Sequence, residues 1–153
     1  MIKVVTATAK DLPTLQDLDL KTYHYPLSDK GWKYALIDSP CKVGMAQIGT
    51  TYVGFALFEQ ADGALDIHRL GVLSKFRGLG AGKTLLQTAN ALARDLHSLK
   101  LRVIVPSCHC ENDKDNVSNW LKGQGFRAKG VKTDFFKMYG DLYDGYLFER
   151  GVK

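Results

Sequence analysis

Residues 72–86, with the sequence VLSKFRGLGAGKTLL, join the end of an apolar strand, a turn with three alternating glycines, and the start of a helix. Glycine lacks a Cβ atom, so an anion can come close to the backbone of such a turn. The following helix adds unpaired N–H groups and the positive end of its dipole at the same place. The stretch therefore predicts a phosphate-binding turn between a strand and a helix.

The same residues partly resemble the P-loop of nucleoside-triphosphate enzymes, which requires a glycine, four residues, and then Gly-Lys-Ser or Gly-Lys-Thr. Only three residues separate Gly78 from Gly82, and Arg77 occupies the position of the first glycine. Such enzymes also need a second apolar strand that ends in an aspartate for magnesium. The best later strand, 101–106, is followed by Ser107. The spacing therefore argues against a P-loop.

Length and composition predict a single domain that covers residues 1–153, because 45% hydrophobic and 24% charged residues suit one core and no linker interrupts the chain. No signal peptide and no apolar run of roughly 20 residues is visible, which predicts a cytoplasmic protein. Three cysteines, Cys41, Cys108 and Cys110, do not form a disulfide framework, in agreement with a reducing compartment.

The formal net charge of +5 allows nucleic acid, an acidic substrate or an anionic cofactor as partner. The lysines and arginines are scattered, without a basic arm or an aromatic-basic platform, so a polyanionic cofactor is favoured over nucleic acid. The run Cys108-His109-Cys110 contains zinc-binding side chains, but adjacent residues chelate poorly and no fourth ligand stands at the usual spacing. We therefore predict no metal.

Hydrophobic periodicity predicts an α/β fold with a mixed sheet. The predicted strands are 2–8, 42–48, 52–60, 64–72, 101–106, 126–132 and 143–150, and the predicted helices begin near Asp11, Asp29, Gly82 and Asn116. Turns at Gly49-Thr50 and at residues 61–63 join the second, third and fourth strands into an antiparallel meander. An aromatic loop with Phe135, Phe136 and Tyr139 is expected between the last two strands.

The hexapeptide Arg77-Gly78-Leu79-Gly80-Ala81-Gly82 matches the pyrophosphate signature Gln/Arg-x-x-Gly-x-Gly/Ala of the GNAT acyl-CoA transferases. The order of elements also resembles the GNAT fold over nearly the whole chain, and residues 11–13 and 24–32 loosely resemble the opening of ribosomal-protein N-terminal acetyltransferases. The resemblance implies a mostly antiparallel twisted sheet of about seven strands flanked by about four helices. It also implies direct transfer of an acetyl group from acetyl-CoA to a primary amine.

The resemblance implies a main-chain cofactor site. The pyrophosphate is expected on the N–H groups of Arg77, Gly78, Leu79, Gly80, Ala81, Gly82 and Lys83, and the pantetheine arm along Leu70, Gly71 and Val72. A second family motif ends in Gly-Phe, here Gly125-Phe126, and begins with an asparagine, whose place Asn116 or Asn112 takes only with a gap. Counting back from Gly125 without a gap puts Leu121 where the family has the tyrosine that protonates the thiolate.

Acyl transfer to an amine requires a proton acceptor, an oxyanion donor and a proton for the thiolate. Asp66 is the predicted base, because it stands six residues before Val72, as in histone-type members of the family. Strand alternation predicts that Asp66, His68, Leu70 and Val72 share one face. Tyr139 is the predicted acid, with Tyr143 and Tyr146 as alternatives.

The acceptor is expected among aromatic loops. The predicted acceptor-binding residues are Tyr23, His24, Tyr25, Trp32 and His68, with Phe135, Phe136 and Tyr139 across the cleft. We expect a protein N-terminus or a lysine as acceptor. A small-molecule amine acetyltransferase with a polyamine or aminoglycoside-like substrate, and a non-catalytic acyl-CoA-binding module, stay open as alternatives. The oligomeric state is also open, a homodimer included.

Overall fold

The computed structural model describes residues 1–153 except 24, 39–40, 111–116 and 139. Its strands and helices, in chain order, are β1 (Ile2–Thr6), α1 (Leu12–Thr22), α2 (Asp29–Lys33), β2 (Lys42–Ile48), β3 (Thr51–Ala61), β4 (Ala64–Val72), α3 (Ala81–Asp95), β5 (Lys100–Pro106), α4 (Val117–Gly123), β6 (Arg127–Met138) and β7 (Asp141–Gly151). Among the described residues no helix is long and apolar enough to cross a membrane.

The strands form one sheet in the order β1-β2-β3-β4-β5-β7-β6. Neighbouring strands are antiparallel except β4 and β5, which run parallel because α3 connects them. The predicted α/β fold, with a mostly antiparallel seven-stranded sheet and four α-helices in the described part of the chain, is confirmed.

β4 and β5 pair over only part of their length. Residues Ala64–Ile67 of β4 lie opposite Lys100–Val103 of β5, and the pairing then stops, although β4 continues to Val72. The rest of β5, to Pro106, pairs only with β7. A gap therefore opens in the middle of the sheet, and its β4 side carries main-chain groups that no strand satisfies.

A β-bulge at His68 changes which face each residue of β4 occupies. Arg69 lies opposite Leu57 and Ile67 lies opposite Phe58, so His68 is an extra residue without a partner on β3. Simple alternation therefore fails, and the prediction that Asp66 shares a face with Leu70 and Val72 is wrong. Both Leu70 and Val72 pack on the same side of the sheet as Ile67.

Two apolar clusters cover the two faces of the sheet. The larger lies under α3 and α4 and includes Phe58, Ile67, Leu85, Leu86 and Leu121. The smaller lies under α1 and α2 and includes Leu15, Leu18, Trp32, Met45 and Phe55. The gap between β4 and β5 is therefore bordered by α3 on one face and by α1 on the other.

The last hairpin is longer than the sequence pattern predicts. β6 runs on to Met138, so Phe135 and Phe136 lie in a strand, and the prediction of an aromatic loop there is wrong. Gly140, which precedes β7, adopts a φ of +80°, a conformation that favours glycine. The shift in register between Lys132 and Phe136 disturbs the alternation that would have revealed one long strand.

Candidate active site

The glycine turn places two glycines in the left-handed region of backbone space, Gly78 with φ +79° and Gly80 with φ +97°. Other residues are strained there, so both positions favour glycine for conformational reasons. A Cβ atom on Gly78 would meet nothing within 4 Å, and one on Gly80 would lie 3.8 Å from Ile2 Cδ1. The outer side of the turn is therefore open to a ligand.

Gly82 has a different function from the other two glycines. A Cβ atom on Gly82 would lie 3.0 Å from Trp120 Cζ2, so this glycine lets α4 pack closely against the start of α3. Ala81 is likewise buried, whereas Leu79 is 61% exposed. The predicted phosphate turn thus has an open part, residues 77–80, and a packed part, residues 81–82.

The first turn of α3 follows the glycine turn directly. Its first regular hydrogen bond runs from the Thr84 N–H to the carbonyl of Gly80, over 2.9 Å. The N–H groups of Ala81, Gly82 and Lys83 therefore precede the helical hydrogen-bond series and can donate to an anion. Lys83 is exposed and lies between two surface depressions, one of about 510 Å³ beside the turn and one of about 570 Å³ along α3.

Arg77 connects the turn to the end of β4. Its Nε atom donates to the Val72 carbonyl over 3.2 Å. The intervening residues form one 3₁₀ turn, Ser74–Phe76. Arg77 therefore fixes the distance between the glycine turn and the open edge of β4, in addition to the positive charge that the sequence predicts for it.

The open edge of β4 is partly occupied by a tyrosine from the segment after α1. The Tyr23 hydroxyl accepts from the Leu70 N–H over 2.7 Å and donates to the Leu70 carbonyl over 3.0 Å. The Leu73 N–H points the other way, to Val53 on β3, so Val72 faces the gap as Leu70 does. Gly71 between them is required because a Cβ atom would lie 2.5 Å from Thr22 Oγ1 of α1.

The structure gives Asp66 and His68 separate partners. Both carboxylate oxygens of Asp66 accept from Arg102, at 2.6 Å from Nε and 3.1 Å from Nη2. That hydrogen bonding raises the pKa of Arg102 above its ordinary value. His68 Nε2 lies 2.9 Å from Glu59 Oε1, and the His68 side chain is 43% exposed. The two residues therefore form two neighbouring pairs rather than one relay.

Aromatic rings meet in the region where the sequence predicts the acceptor side. Tyr25 packs edge-on against Tyr23, with ring centroids 5.5 Å apart, stacks on His109 at 6.0 Å and contacts Phe136 at 6.1 Å. Burial raises the pKa of both tyrosines, so their phenols stay protonated at neutral pH. Side chains from the segment after α1, from the 3₁₀ turn Ser107–His109 after β5 and from β6 thus meet in one aromatic wall.

Trp32 does not reach this wall. Its side chain is fully buried and its Nε1 donates to Asp19 over 3.0 Å, which contradicts the prediction that Trp32 contacts the acceptor. Leu121 is buried in the core, so no polar group stands at that position. The predicted residues His24, Asn116 and Tyr139 lie outside the described part of the chain.

Sequence reasoning missed three polar residues near the gap: Asp19, Arg69 and His109. Asp19 and Arg69 are buried, and they form an ion pair between α1 and β4. The available signal was weak, because Arg69 lies between Ile67 and Gly71 but in the same strand as two other polar residues, Asp66 and His68. His109 was considered only as a zinc ligand. Among the described residues no group of three metal-binding side chains exists.

Comparison with known proteins agrees with this architecture. The acetyltransferase (GNAT) family model matches residues 11–126. No curated protein sequence matches the chain significantly. A ribosomal-protein alanine N-acetyltransferase from Escherichia coli is similar in structure, with a TM-score of 0.83 at 13% identity over 100% of this chain and 95% of that one.

Two other solved structures have the same fold. Arabidopsis thaliana NAA60 in complex with a bisubstrate analogue gives a TM-score of 0.83 at 16% identity, over 100% of this chain and 99% of that one. A GNAT family acetyltransferase from Elizabethkingia anophelis with acetyl-CoA bound gives 0.76 at 20% identity, over 99% and 98%. Since the family model covers most of the chain, this protein belongs to the GNAT acetyltransferase family.

Proposed function

We propose that this protein transfers an acetyl group from acetyl-CoA directly to a primary amine of a protein, at its N-terminus or at a lysine. The observation that carries the proposal is the gap between β4 and β5, which opens next to the glycine turn. The gap borders α3 on one face of the sheet and the aromatic wall on the other. Two substrates can therefore approach one reaction centre from opposite faces.

The residues of the α3 face fit a CoA thioester. The open backbone of Gly78 and Gly80 and the first N–H groups of α3 suit a pyrophosphate, because they offer several donors without side-chain bulk. The main chain of Val72 faces the gap and suits the amides of a pantetheine arm, as a neighbouring strand would. Lys83 adds a positive charge beside the turn.

Chemistry at the gap requires a proton acceptor for the amine, a donor for the tetrahedral oxyanion and a proton for the departing thiolate. The Val72 N–H is the proposed oxyanion donor. Main-chain groups two residues apart in a strand point to the same side, so this N–H faces the gap as the Leu70 N–H does. Asp66 and Tyr139 stay the proposed base and acid. The His109 imidazole is a second candidate base, since it lies in the aromatic wall and imidazoles exchange protons near neutral pH.

A protein acceptor is favoured over a small amine by the surface beside the gap. The aromatic wall continues into β6, whose residues 127–135 are all exposed, so an extended polypeptide has a surface to lie on. A small polyamine would need carboxylates, and Asp66 is already paired with Arg102. Two of the structural neighbours, NAA60 and the ribosomal-protein alanine N-acetyltransferase, support the same acceptor class.

The proposal is tested by measuring CoA thiol release from acetyl-CoA with three acceptors, followed by mass spectrometry of the products. The acceptors are a lysine-free heptapeptide with a free N-terminus, an N-acetylated heptapeptide with one internal lysine, and spermidine. Acetylation of either peptide in preference to spermidine supports the proposal. Preference for spermidine would identify the small-molecule alternative, and tight acetyl-CoA binding without acetylation of any acceptor would identify a non-catalytic acyl-CoA-binding module.

A further inference from the structure

A buried ion pair connects α1 to β4 beside the gap. Arg69 Nη1 lies 2.8 Å from Asp19 Oδ1, with side chains that are 8% and 0% exposed. Removing two charges from water is costly, and apolar residues of similar volume often stabilise a fold equally well. The position of this pair, one residue before Leu70 on the open edge of β4, therefore calls for a reason besides stability.

The pair also bonds α2 and the segment between α1 and α2. Asp19 Oδ2 accepts from the Leu27 N–H over 2.8 Å and from Trp32 Nε1 of α2 over 3.0 Å. Arg69 Nη2 donates to the Tyr25 carbonyl over 2.7 Å. The pair thus holds the main chain of Tyr25 and Leu27, and Tyr25 gives the aromatic wall one of its rings.

The guanidinium of Arg69 also supports both of these rings. Its central carbon lies 4.6 Å from the centroid of Tyr23 and 5.1 Å from that of Tyr25. Tyr23 in turn bonds both main-chain groups of Leu70 through its hydroxyl. A displacement of Arg69 would therefore release two rings of the aromatic wall.

We propose that Arg69, held in place by Asp19, is a positioning residue for the acceptor: it fixes Tyr23 and Tyr25 at the edge of the gap. This inference rests on the proposed function, because it assigns these rings to the acceptor side. The planar guanidinium bonds Asp19 and the Tyr25 carbonyl at once, while its central carbon lies within 5.1 Å of both ring centroids. Lysine has one ammonium group and no planar face, so it cannot make all of these contacts together.

The test compares Arg69→Met, Arg69→Lys and Asp19→Asn with wild type. We expect Arg69→Met and Asp19→Asn to raise KM for the free-N-terminus heptapeptide by roughly 10-fold or more, because small misplacements in a site have large effects. Arg69→Lys should raise it less. The Kd for acetyl-CoA, measured by calorimetry, should stay within about twofold, since the cofactor side depends on other residues. Asp17→Asn, on the same helix in an exposed pair with Lys21, is the matched control.

An unchanged peptide KM in Arg69→Met would overturn the proposal. A loss of acetyl-CoA affinity as large as the increase in peptide KM would also overturn it, because it would indicate that the whole fold is destabilised. Hydrogen exchange of the Leu27 and Leu70 amides in Arg69→Met and Asp19→Asn gives a second measurement that needs no acceptor. Arg69→Met should speed exchange at Leu70, because the Tyr23 ring loses its support, and Asp19→Asn should speed it at Leu27, with α3 unaffected. Unchanged exchange at both amides contradicts the proposal.

Failure of the proposed function is a separate outcome. In that case wild type acetylates neither peptide, and the comparison of variants then depends on exchange and on acetyl-CoA affinity alone. Faster exchange at Leu27 and Leu70 with unaltered affinity still supports Arg69 as the support of this wall. Slow, unchanged exchange refutes it whether or not the protein is active on peptides.

Discussion

The two sides of the gap are built in different ways. The proposed cofactor side is made of main chain, with Gly78 and Gly80 in left-handed conformations and the start of α3 behind them. The proposed acceptor side is made of side chains that come from separate segments and meet at Tyr25. A main-chain site is set by local spacing, whereas a side-chain site depends on the whole fold. The first tolerates varied side chains and the second does not.

The comparison is tested most strongly by Gly80→Asp. Aspartate at a φ of +97° is strained, and its carboxylate would stand where a pyrophosphate is proposed to bind. We expect acetyl-CoA affinity to fall by roughly 100-fold or more, measured by calorimetry. Gly49→Asp is the control, because Gly49 has a φ of +60° in a hairpin with open space around it. Equal acetyl-CoA affinity in Gly80→Asp and Gly49→Asp would show that the glycine turn does not bind the cofactor.

Asp66→Asn should give the next largest effect. The substitution removes the carboxylate that pairs with Arg102, which is also the proposed proton acceptor. Turnover should therefore slow by roughly 10- to 100-fold, with acetyl-CoA affinity unchanged. The control is Glu149→Gln, which breaks the neighbouring Lys100 pair on β5. Full rate across neutral pH in Asp66→Asn would show that Asp66 is not the base, and His109→Gln should then produce the loss.

Tyr23→Phe tests the acceptor side with a smaller change. The variant keeps the ring under Arg69 but loses both hydrogen bonds to Leu70. We expect a peptide KM about fivefold higher and a loss of about 1 kcal/mol in the free energy of unfolding by urea. Tyr34→Phe is the control, because Tyr34 is 54% exposed. A weaker acetyl-CoA affinity with normal peptide KM would assign Tyr23 to the cofactor side instead.

Arg77→Met should have the smallest effect of the four. It removes one exposed hydrogen bond to the Val72 carbonyl and one charge near the turn, while the backbone donors remain. We expect acetyl-CoA affinity to fall about threefold, and the difference to shrink as salt concentration rises. Lys75→Met, also exposed and close in sequence, serves as the comparison. A loss as large as that of Gly80→Asp would mean that side-chain charge, rather than main chain, holds the cofactor.

Much of the fold could be predicted from local sequence. β2 and β4 have the predicted bounds, because turn glycines delimit their apolar runs. α2 starts where Ser28 indicates, with its hydroxyl accepting from the Gly31 N–H over 3.1 Å. The glycine turn was equally accessible, since its glycines and the helix after it are consecutive in the chain.

The acceptor side could not be predicted in the same way. The bulge at His68 adds one residue to β4, and nothing in the strand's sequence distinguishes it from regular alternation. The pairing of Asp19 with Arg69 spans 50 positions, and each residue alone resembles a solvated charge. Trp32 is aromatic, which predicts contact with the acceptor, whereas its indole packs in the core and donates a hydrogen bond to Asp19. Such contacts depend on tertiary packing, which spacing does not encode.

Under the proposed function, the gap between β4 and β5 would link the lifetime of the protein to the concentration of acetyl-CoA. A ligand that pairs with the free edge at Val72 binds only the folded chain, so its concentration adds directly to the free energy of unfolding. At 100 times its Kd, acetyl-CoA would contribute about 2.7 kcal/mol, a large share of the 5–15 kcal/mol typical of a domain. When acetyl-CoA is scarce, the protein would lose that support and become more open to proteolysis. The incomplete sheet would thus make the amount of enzyme, and not just its rate, respond to supply.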